Sequence, residues 1–209
     1  MFNGEDFITV KGVILSREPS GENYLWSTLF LEGEGIVSLT SKNFLGDSEP
    51  LTWGYFDLQR KSRSRNYFIY DTDSKDNMLK IRRGKEPIMT AINWTKYLKK
   101  YLLPGHPDDE LLVNLYWSMK LLTIPVVPPA AVNWRFLWLW LSEWGLAPEL
   151  AAFHEQKGFM PEEISLLTQV TSLTPKGVTD IFSSKLNPKL RQKMFHVASS
   201  PALNFLNEY

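Results

Sequence analysis

Two short basic runs are the residues of this chain whose types and spacing best suit a chemical task, the binding of phosphates. The first run places four positive charges among six residues: Arg60, Lys61, Arg63 and Arg65. The second run does the same over residues 80–85: Lys80, Arg82, Arg83 and Lys85. Residues 60–85 together hold nine Lys or Arg against three Asp, a net charge of +6. Because clustered basic side chains neutralise phosphates, the segment predicts a nucleic-acid contact.

Aromatic residues flank the first basic run on both sides: Tyr55 and Phe56 before it, and Tyr67, Phe68 and Tyr70 after it. Exposed rings stack on nucleic-acid bases, and each stacked base is worth roughly 1–3 kcal/mol. We therefore predict that Tyr67, next to the run, is a stacking residue. The alternative interpretation is a solvated hairpin tip whose charges balance acidic residues elsewhere, and both interpretations stay open at this point.

Other basic groups have simpler structural interpretations. Lys96, Lys99 and Lys100 stand near the predicted end of a helix, where the helix dipole favours cations. A fourth group is either the polar face of the last helices or a further binding surface: Lys185, Lys189, Arg191 and Lys193. The net charge of the whole chain is zero, which counts against a protein that coats DNA extensively.

Residue types suited to catalysis or metal binding are scarce. The chain has no cysteine, and its three histidines are far apart: His106, His154 and His196. Residues 71–76 superficially resemble a calcium loop, but Lys75 and Arg82 stand where ligands are needed and the glycine is missing, so we predict a polar turn. No phosphate-binding glycine loop or nucleophile elbow is found. We predict a protein that is not an enzyme and has no metal and no cofactor.

The elements that must position the basic runs change character along the chain. Residues 8–15, 24–31, 36–39, 55–59 and 67–70 predict five short strands, separated by turn signals such as Gly33 and Gly35. Five short strands of this kind indicate a small barrel or sandwich. We therefore predict an α+β protein with a strand domain over residues 1–80 and a helical domain over residues 81–209.

Helical periodicity begins near Pro87 and continues towards the C-terminus. We predict helices that start at Pro87, Asp108, Pro161, Pro175 and Pro188, because acidic residues or proline stand in the first turn. Residues 134–144 are apolar on nearly every side and predict the buried centre of a helical bundle. The longest apolar run, residues 134–141, is far shorter than the roughly 20 residues of a membrane span, and residues 1–6 lack a secretion signal, so we expect a cytoplasmic location.

Five segments, in the same order, resemble the bacterial recombination mediator RecO family. Residues 12–23 (GVILSREPSGEN) are similar to its opening strand and turn, and residues 29–39 (LFLEGEGIVSL) to its next hairpin. Residues 94–111 resemble one family helix and the acidic start of the following one, residues 133–141 (NWRFLWLWL) its central helix, and residues 161–167 (PEEISLL) a later helix. The resemblance spans nearly the whole chain.

The resemblance implies an N-terminal five-stranded OB-fold β-barrel and a C-terminal helical domain. It also implies binding of single- and double-stranded DNA without sequence specificity, strand annealing and recombinase loading in recombinational DNA repair, at the nucleoid. The implied partners are RecR and the C-terminal tail of single-strand-binding protein. Arg135 occupies a family-like position at the start of the central helix, where it either helps hold that acidic tail or faces solvent.

The chain departs from the family pattern in two ways. It lacks the four cysteines of the zinc site that many members carry, and Ile36 follows Gly35 where the family usually has Arg or Lys. Of the later basic cluster only Lys42 remains. These departures leave an alternative open, a protein-interaction scaffold of the same fold with little DNA affinity. The predicted DNA-binding residues are Arg60, Lys61, Arg63, Arg65, Lys42, Tyr67, Arg82, Arg83 and Lys85.

Overall fold

The computed structural model describes residues 7–42, 49–60, 67–147 and 160–183. The chain divides into two compact units, residues 1–113 and residues 114–209. The described residues form a five-stranded sheet followed by five α-helices, so the α+β class is confirmed. The change from strands to helices falls near residue 80, as expected, whereas the proposed domain limits at 1–80 and 81–209 stay a prediction.

All five predicted strands are present, and most are longer than expected: β1 (Phe7–Pro19), β2 (Tyr24–Leu31), β3 (Gly35–Lys42), β4 (Trp53–Arg60) and β5 (Tyr67–Asp76). The prediction of a polar turn at residues 71–76 is wrong. That segment continues β5, and its Asp73 pairs with Tyr55 of β4. Pairing with β4 satisfies the backbone while alternate side chains point to solvent, so polar residues are tolerated there.

The strands pair in a closed ring in the order β1-β2-β3-β5-β4, with β4 returning to β1. Neighbours are antiparallel except β3 and β5, which run parallel over a short stretch. Each strand of the ring contributes to one apolar cluster of buried side chains: Ile14, Leu29, Leu31, Leu39, Phe56, Leu58 and Ile69. Removing this apolar surface from water stabilises the ring, and the alternation of strand side chains leaves the other face outside.

Two glycines let the strands approach closely enough to close the ring. Gly12 of β1 pairs with Leu31 on one side and with Gly54 of β4 on the other. A Cβ atom on Gly12 would overlap the carbonyl oxygen of Phe30, and one on Gly54 would overlap that of Asp73. Any larger residue at either position would therefore push neighbouring strands apart.

The helices are α1 (Lys85–Tyr101), α2 (Asp109–Leu122), α3 (Pro129–Glu143), α4 (Pro161–Ser172) and α5 (Pro175–Ser183). The predicted signals act at several helix ends. The Asp108 carboxylate accepts a hydrogen bond from the Leu111 amide at 3.0 Å, which caps α2. The predicted helix start at Pro188 lies outside the described residues. No described helix has the length and apolarity needed to cross a membrane.

In the second unit, α3 is buried on most of its surface, as its sequence predicts. Eight of its side chains are buried: Ala131, Val132, Trp134, Arg135, Phe136, Leu137, Trp140 and Leu141. The helix packs against α4. It ends where Gly145 adopts a φ of 71° and the Leu146 amide donates to the Leu141 carbonyl at 2.7 Å, a turn that glycine forms without strain.

Candidate nucleic-acid interface

The first predicted basic run joins two paired strands of the ring. β4 ends at Arg60 and β5 begins at Tyr67, and these two residues face each other across the strand pair. Lys61, Arg63 and Arg65 lie outside the described residues, as do the side chains of Arg60 and Lys42. The Lys42 backbone ends β3 opposite Tyr24 of β2. The structure therefore describes the backbone of the strand ends that carry Arg60 and Lys42, and the roles of these five basic side chains in DNA binding stay predictions.

Tyr67 is only partly exposed and packs against the apolar cluster of the ring. Along β5 the side chains alternate between the two faces of the sheet, so Tyr67 and Ile69 face the core while Phe68 between them faces outwards. The role of Tyr67 as a stacking residue stays a prediction. Tyr70, which is 58% exposed, offers more accessible ring surface.

Aromatic side chains gather on the outside of the ring near these strand ends. We call them the aromatic edge, which consists of four exposed residues and the partly exposed Phe68: Phe7, Tyr24, Trp26, Phe68 and Tyr70. The ring centroids of Tyr24 and Phe68 are 6.4 Å apart, and those of Phe7 and Tyr70 are 5.4 Å apart, both with edge-on geometry. Contiguous apolar patches on a protein surface are often binding surfaces, so the aromatic edge is a candidate for one.

The strand register connects these positions in one row. Trp26 pairs with Thr40, and Thr40 pairs with Phe68. Phe68 in turn pairs with Gln59, and Gln59 with Phe7. The row therefore crosses all five strands. Sequence reasoning found Phe68 and Tyr70 beside the basic run but missed the others, because only strand pairing brings the distant Phe7, Tyr24 and Trp26 to this face.

The second predicted basic run lies at the beginning of the helical part. Arg82 belongs to a 3-10 turn, Ile81–Arg83, where its Nη1 atom lies 2.9 Å from a Glu49 carboxylate oxygen. Its Nη2 atom donates to the Pro50 carbonyl oxygen at 2.7 Å. Arg82 thus anchors the segment before β4. Arg83 and Lys85 are exposed on the surface of the first unit.

Arg135 is buried in the second unit, with only 8% of its surface exposed. The alternative of a solvent-facing position is therefore wrong. Its Nη2 atom donates to the Leu173 carbonyl oxygen at 3.4 Å, while Nε and Nη1 have no acceptor in the described part of the chain. Burial lowers the pKa of its guanidinium group. Unsatisfied buried donors are costly, and a carboxylate that reached this group would accept a hydrogen bond from one of them.

Metal-binding chemistry finds no support in the described ranges. They contain no group of three or more His, Cys, Asp or Glu side chains close enough to hold an ion. Of the three histidines only His106 falls within them.

No protein-family model matches this chain, and no curated protein sequence matches it significantly. The resemblance to the RecO family therefore stays a prediction. The ring of strands, the aromatic edge and the distribution of basic side chains are the observations that indicate what the protein binds.

Proposed function

We propose that this protein binds single- and double-stranded DNA without sequence specificity, through the aromatic edge and the basic segment at residues 60–65. The aromatic edge is the observation that carries the proposal. Rings that are 44–58% exposed, such as Trp26 and Tyr70, keep their faces available for bases. Stacking is tolerant of sequence because every base has a π-face, and neighbouring cations attract the backbone.

We also propose that the ring is an OB-fold and that the helices of the second unit form a bundle around α3. Five strands closed in the order β1-β2-β3-β5-β4 support the first part. OB-folds bind oligonucleotides on the face of their second and third strands and on the loops that follow the first and fourth. Here Tyr24 and Trp26 lie on β2, Lys42 ends β3, and the basic segment joins β4 to β5.

A local concentration of charge reconciles DNA binding with a net charge of zero. Residues 60–85 carry +6 while the rest of the chain compensates, so attraction to phosphate is strongest at this segment. Neutralising two strands at once lowers their mutual repulsion and favours base pairing. In the cell this activity corresponds to a RecO-like mediator that anneals strands and loads recombinase with RecR and single-strand-binding protein.

Fluorescence anisotropy of labelled single-stranded DNA, titrated at several salt concentrations, tests the proposal. The variant replaces Lys61, Arg63 and Arg65 with alanine. We expect the slope of log affinity against log salt to fall by up to about 2, since each lost phosphate contact on a single strand removes roughly 0.7.

A matched control replaces three exposed lysines that belong neither to the aromatic edge nor to residues 60–65: Lys80, Lys100 and Lys176. It removes the same charge but no residue of the proposed DNA interface. We therefore expect it to leave most of the salt slope in place. Equal slopes in the two variants would show that overall charge, rather than the basic segment, governs binding. No binding of the unaltered protein at low salt would reject the proposed function.

A second candidate function is a protein-interaction scaffold with the same fold. Buried Arg135 favours it, because a partner carboxylate, such as that of the acidic tail of single-strand-binding protein, would accept a hydrogen bond from a donor that has no acceptor in the described part of the chain. A pull-down with single-strand-binding protein or RecR after nuclease treatment separates the two functions. Partner retention that Arg135→Lys abolishes, without measurable DNA binding, would favour the scaffold.

A further inference from the structure

A cleft of about 340 Å³ opens in the first unit between β1 and α1. Its lining includes the apolar side chains of Leu15, Ile88 and Ile92. Four basic residues also line it: Arg17, Arg82, Lys96 and Lys99. Among the described residues no carboxylate lines the cleft directly, although Glu49 pairs with Arg82 beside it. An apolar surface combined with several cations suits an anion that carries an apolar or flat group.

An irregularity in β1 forms one wall of the cleft. The pairing of β1 with β2 shifts between Ile14 and Ser16, which leaves Leu15 as an extra residue. Beside it the Leu51 amide donates to the Ile14 carbonyl oxygen at 2.7 Å, and Leu51 adopts a φ of 72°. Bulges and left-handed non-glycine residues are both concentrated at functional sites. The two meet here on one side of the cleft.

Helical spacing on α1 forms the opposite wall. Ile88, Ile92, Lys96 and Lys99 follow one another at intervals of three or four residues, so they share one face of the helix. The Lys99 ammonium group donates to the Ser16 hydroxyl at 3.1 Å, which ties α1 to β1. That hydroxyl keeps its own hydrogen for a ligand oxygen.

The cations of the cleft differ in how far they are already engaged. Arg82 is paired with Glu49. Arg17 extends to the buried hydroxyls of Ser27 and Ser41, and burial lowers the pKa of its guanidinium group. Lys96 and Lys99 are exposed, and the described part of the chain brings no carboxylate within ion-pair distance of either. These two lysines are therefore the charges available to a ligand.

We propose that this cleft is a nucleotide site, in which Lys96 and Lys99 bind a phosphate monoester and the apolar wall of Leu15, Ile88 and Ile92 contacts the base. A phosphate monoester carries about −1.5 to −2 charges at neutral pH, which two lysines balance better than they would a single carboxylate. The volume is at the lower limit of roughly 300–1,000 Å³ for small-molecule pockets, enough for one nucleotide and too small for a folded peptide.

The site is independent of the proposed DNA interface, because it shares no residue with the aromatic edge or with residues 60–65. Two sources offer the same chemistry. One is a free nucleoside monophosphate, and the other is the 5′-phosphorylated end of a nucleic-acid strand. Both present a dianionic phosphate next to a base.

Isothermal titration calorimetry of the full chain with adenosine 5′-monophosphate and with adenosine tests the site. The variant is Lys96→Gln/Lys99→Gln, and Lys80→Gln/Lys100→Gln is a control with the same change in charge. We expect the dissociation constant for the monophosphate to rise at least about tenfold in the cleft variant, because charged hydrogen bonds are lost, and less than about twofold in the control. Thermal unfolding of each variant verifies that it is folded.

Short oligonucleotides with and without a 5′-phosphate form the second arm. A preference for the phosphorylated strand that disappears in Lys96→Gln/Lys99→Gln would identify a strand end as the source, whereas binding of the monophosphate alone would identify a free nucleotide. Equal affinity for adenosine and its monophosphate would overturn the proposal, as would equal losses in the cleft variant and the control. Nucleotide binding should survive alanine at Lys61, Arg63 and Arg65, so the two proposals can fail separately.

Discussion

The aromatic edge and the cleft combine apolar surface with positive charge in opposite ways. At the edge, rings such as Tyr24 and Tyr70 stand on the outside of the sheet, and the cations come from strand ends and the basic segment. In the cleft, the apolar side chains lie between β1 and α1, and lysines stand at the rim. An open surface can follow an extended strand of any sequence, whereas a small concave site selects a group by size and charge.

The two regions also differ in how they are built. The basic segment and the edge residues Phe68 and Tyr70 are neighbours in the chain, although Phe7 and Tyr24 join them through strand pairing. The cleft draws on β1, the segment before β4 and α1, which are tens of residues apart. A local cluster can be recognised in the sequence, while a cleft between elements exists only after the chain has folded.

The largest expected effect distinguishes the two faces of β5. Tyr67→Ala should lower the free energy of unfolding by about 2 kcal/mol, below the roughly 3–5 kcal/mol for a fully buried aromatic residue, because Tyr67 packs only partly against the core. Tyr70→Ala should change it by less than about 0.5 kcal/mol, since Tyr70 is 58% exposed. Urea denaturation of both variants measures the difference. Equal losses would mean that Tyr70 is also a packing residue.

The next effect concerns stacking at the aromatic edge. Tyr24→Ala should weaken binding of single-stranded DNA by about 1–3 kcal/mol, the value of one stacked base. Tyr55→Ala is the control, because Tyr55 is also exposed but belongs to the outer face of β4 beside Lys75. Anisotropy measures both affinities. If the two variants lose the same affinity, the binding surface extends beyond the aromatic edge, and if neither loses any, stacking does not contribute.

The smallest expected effect concerns the ion pair of Arg82 beside the cleft. Glu49→Gln removes the partner of Arg82, which should raise the affinity for adenosine 5′-monophosphate by about two- to threefold, since an exposed pair is worth roughly 0–1 kcal/mol. Glu110→Gln, on an exposed position of α2, makes the same change in net charge and should leave the affinity unchanged. Calorimetry compares them. An equal rise in both would attribute the effect to net charge alone.

Much of the local structure could be predicted because it depends on neighbouring residues. The five strands follow from short apolar runs between turn signals, and the acidic signal at Asp108 acts at the start of α2 as expected. The error at residues 71–76 arose because polar composition was interpreted as a turn. The strand forms there because β4 supplies backbone partners, which a local pattern does not reveal.

Whether a prediction about a single side chain is right depends on which face of its strand or helix that side chain occupies. Tyr67 was chosen for its closeness to the basic run, but it packs partly against the core, while Tyr24 and Trp26 are exposed. Lys96 and Lys99 were interpreted as charges at a helix end, and the fold also places them in the cleft.

The amino-acid sequence by itself determined the order of strands and helices, the basic segment and the apolar central helix, because these depend on spacing along the chain. Only the tertiary structure decided which rings share the outer face, that Arg135 is buried, and that Arg17 joins Lys99 at one cleft. The physical reason is that strand pairing and helix packing bring together residues distant in the chain, and their register decides which side chains meet.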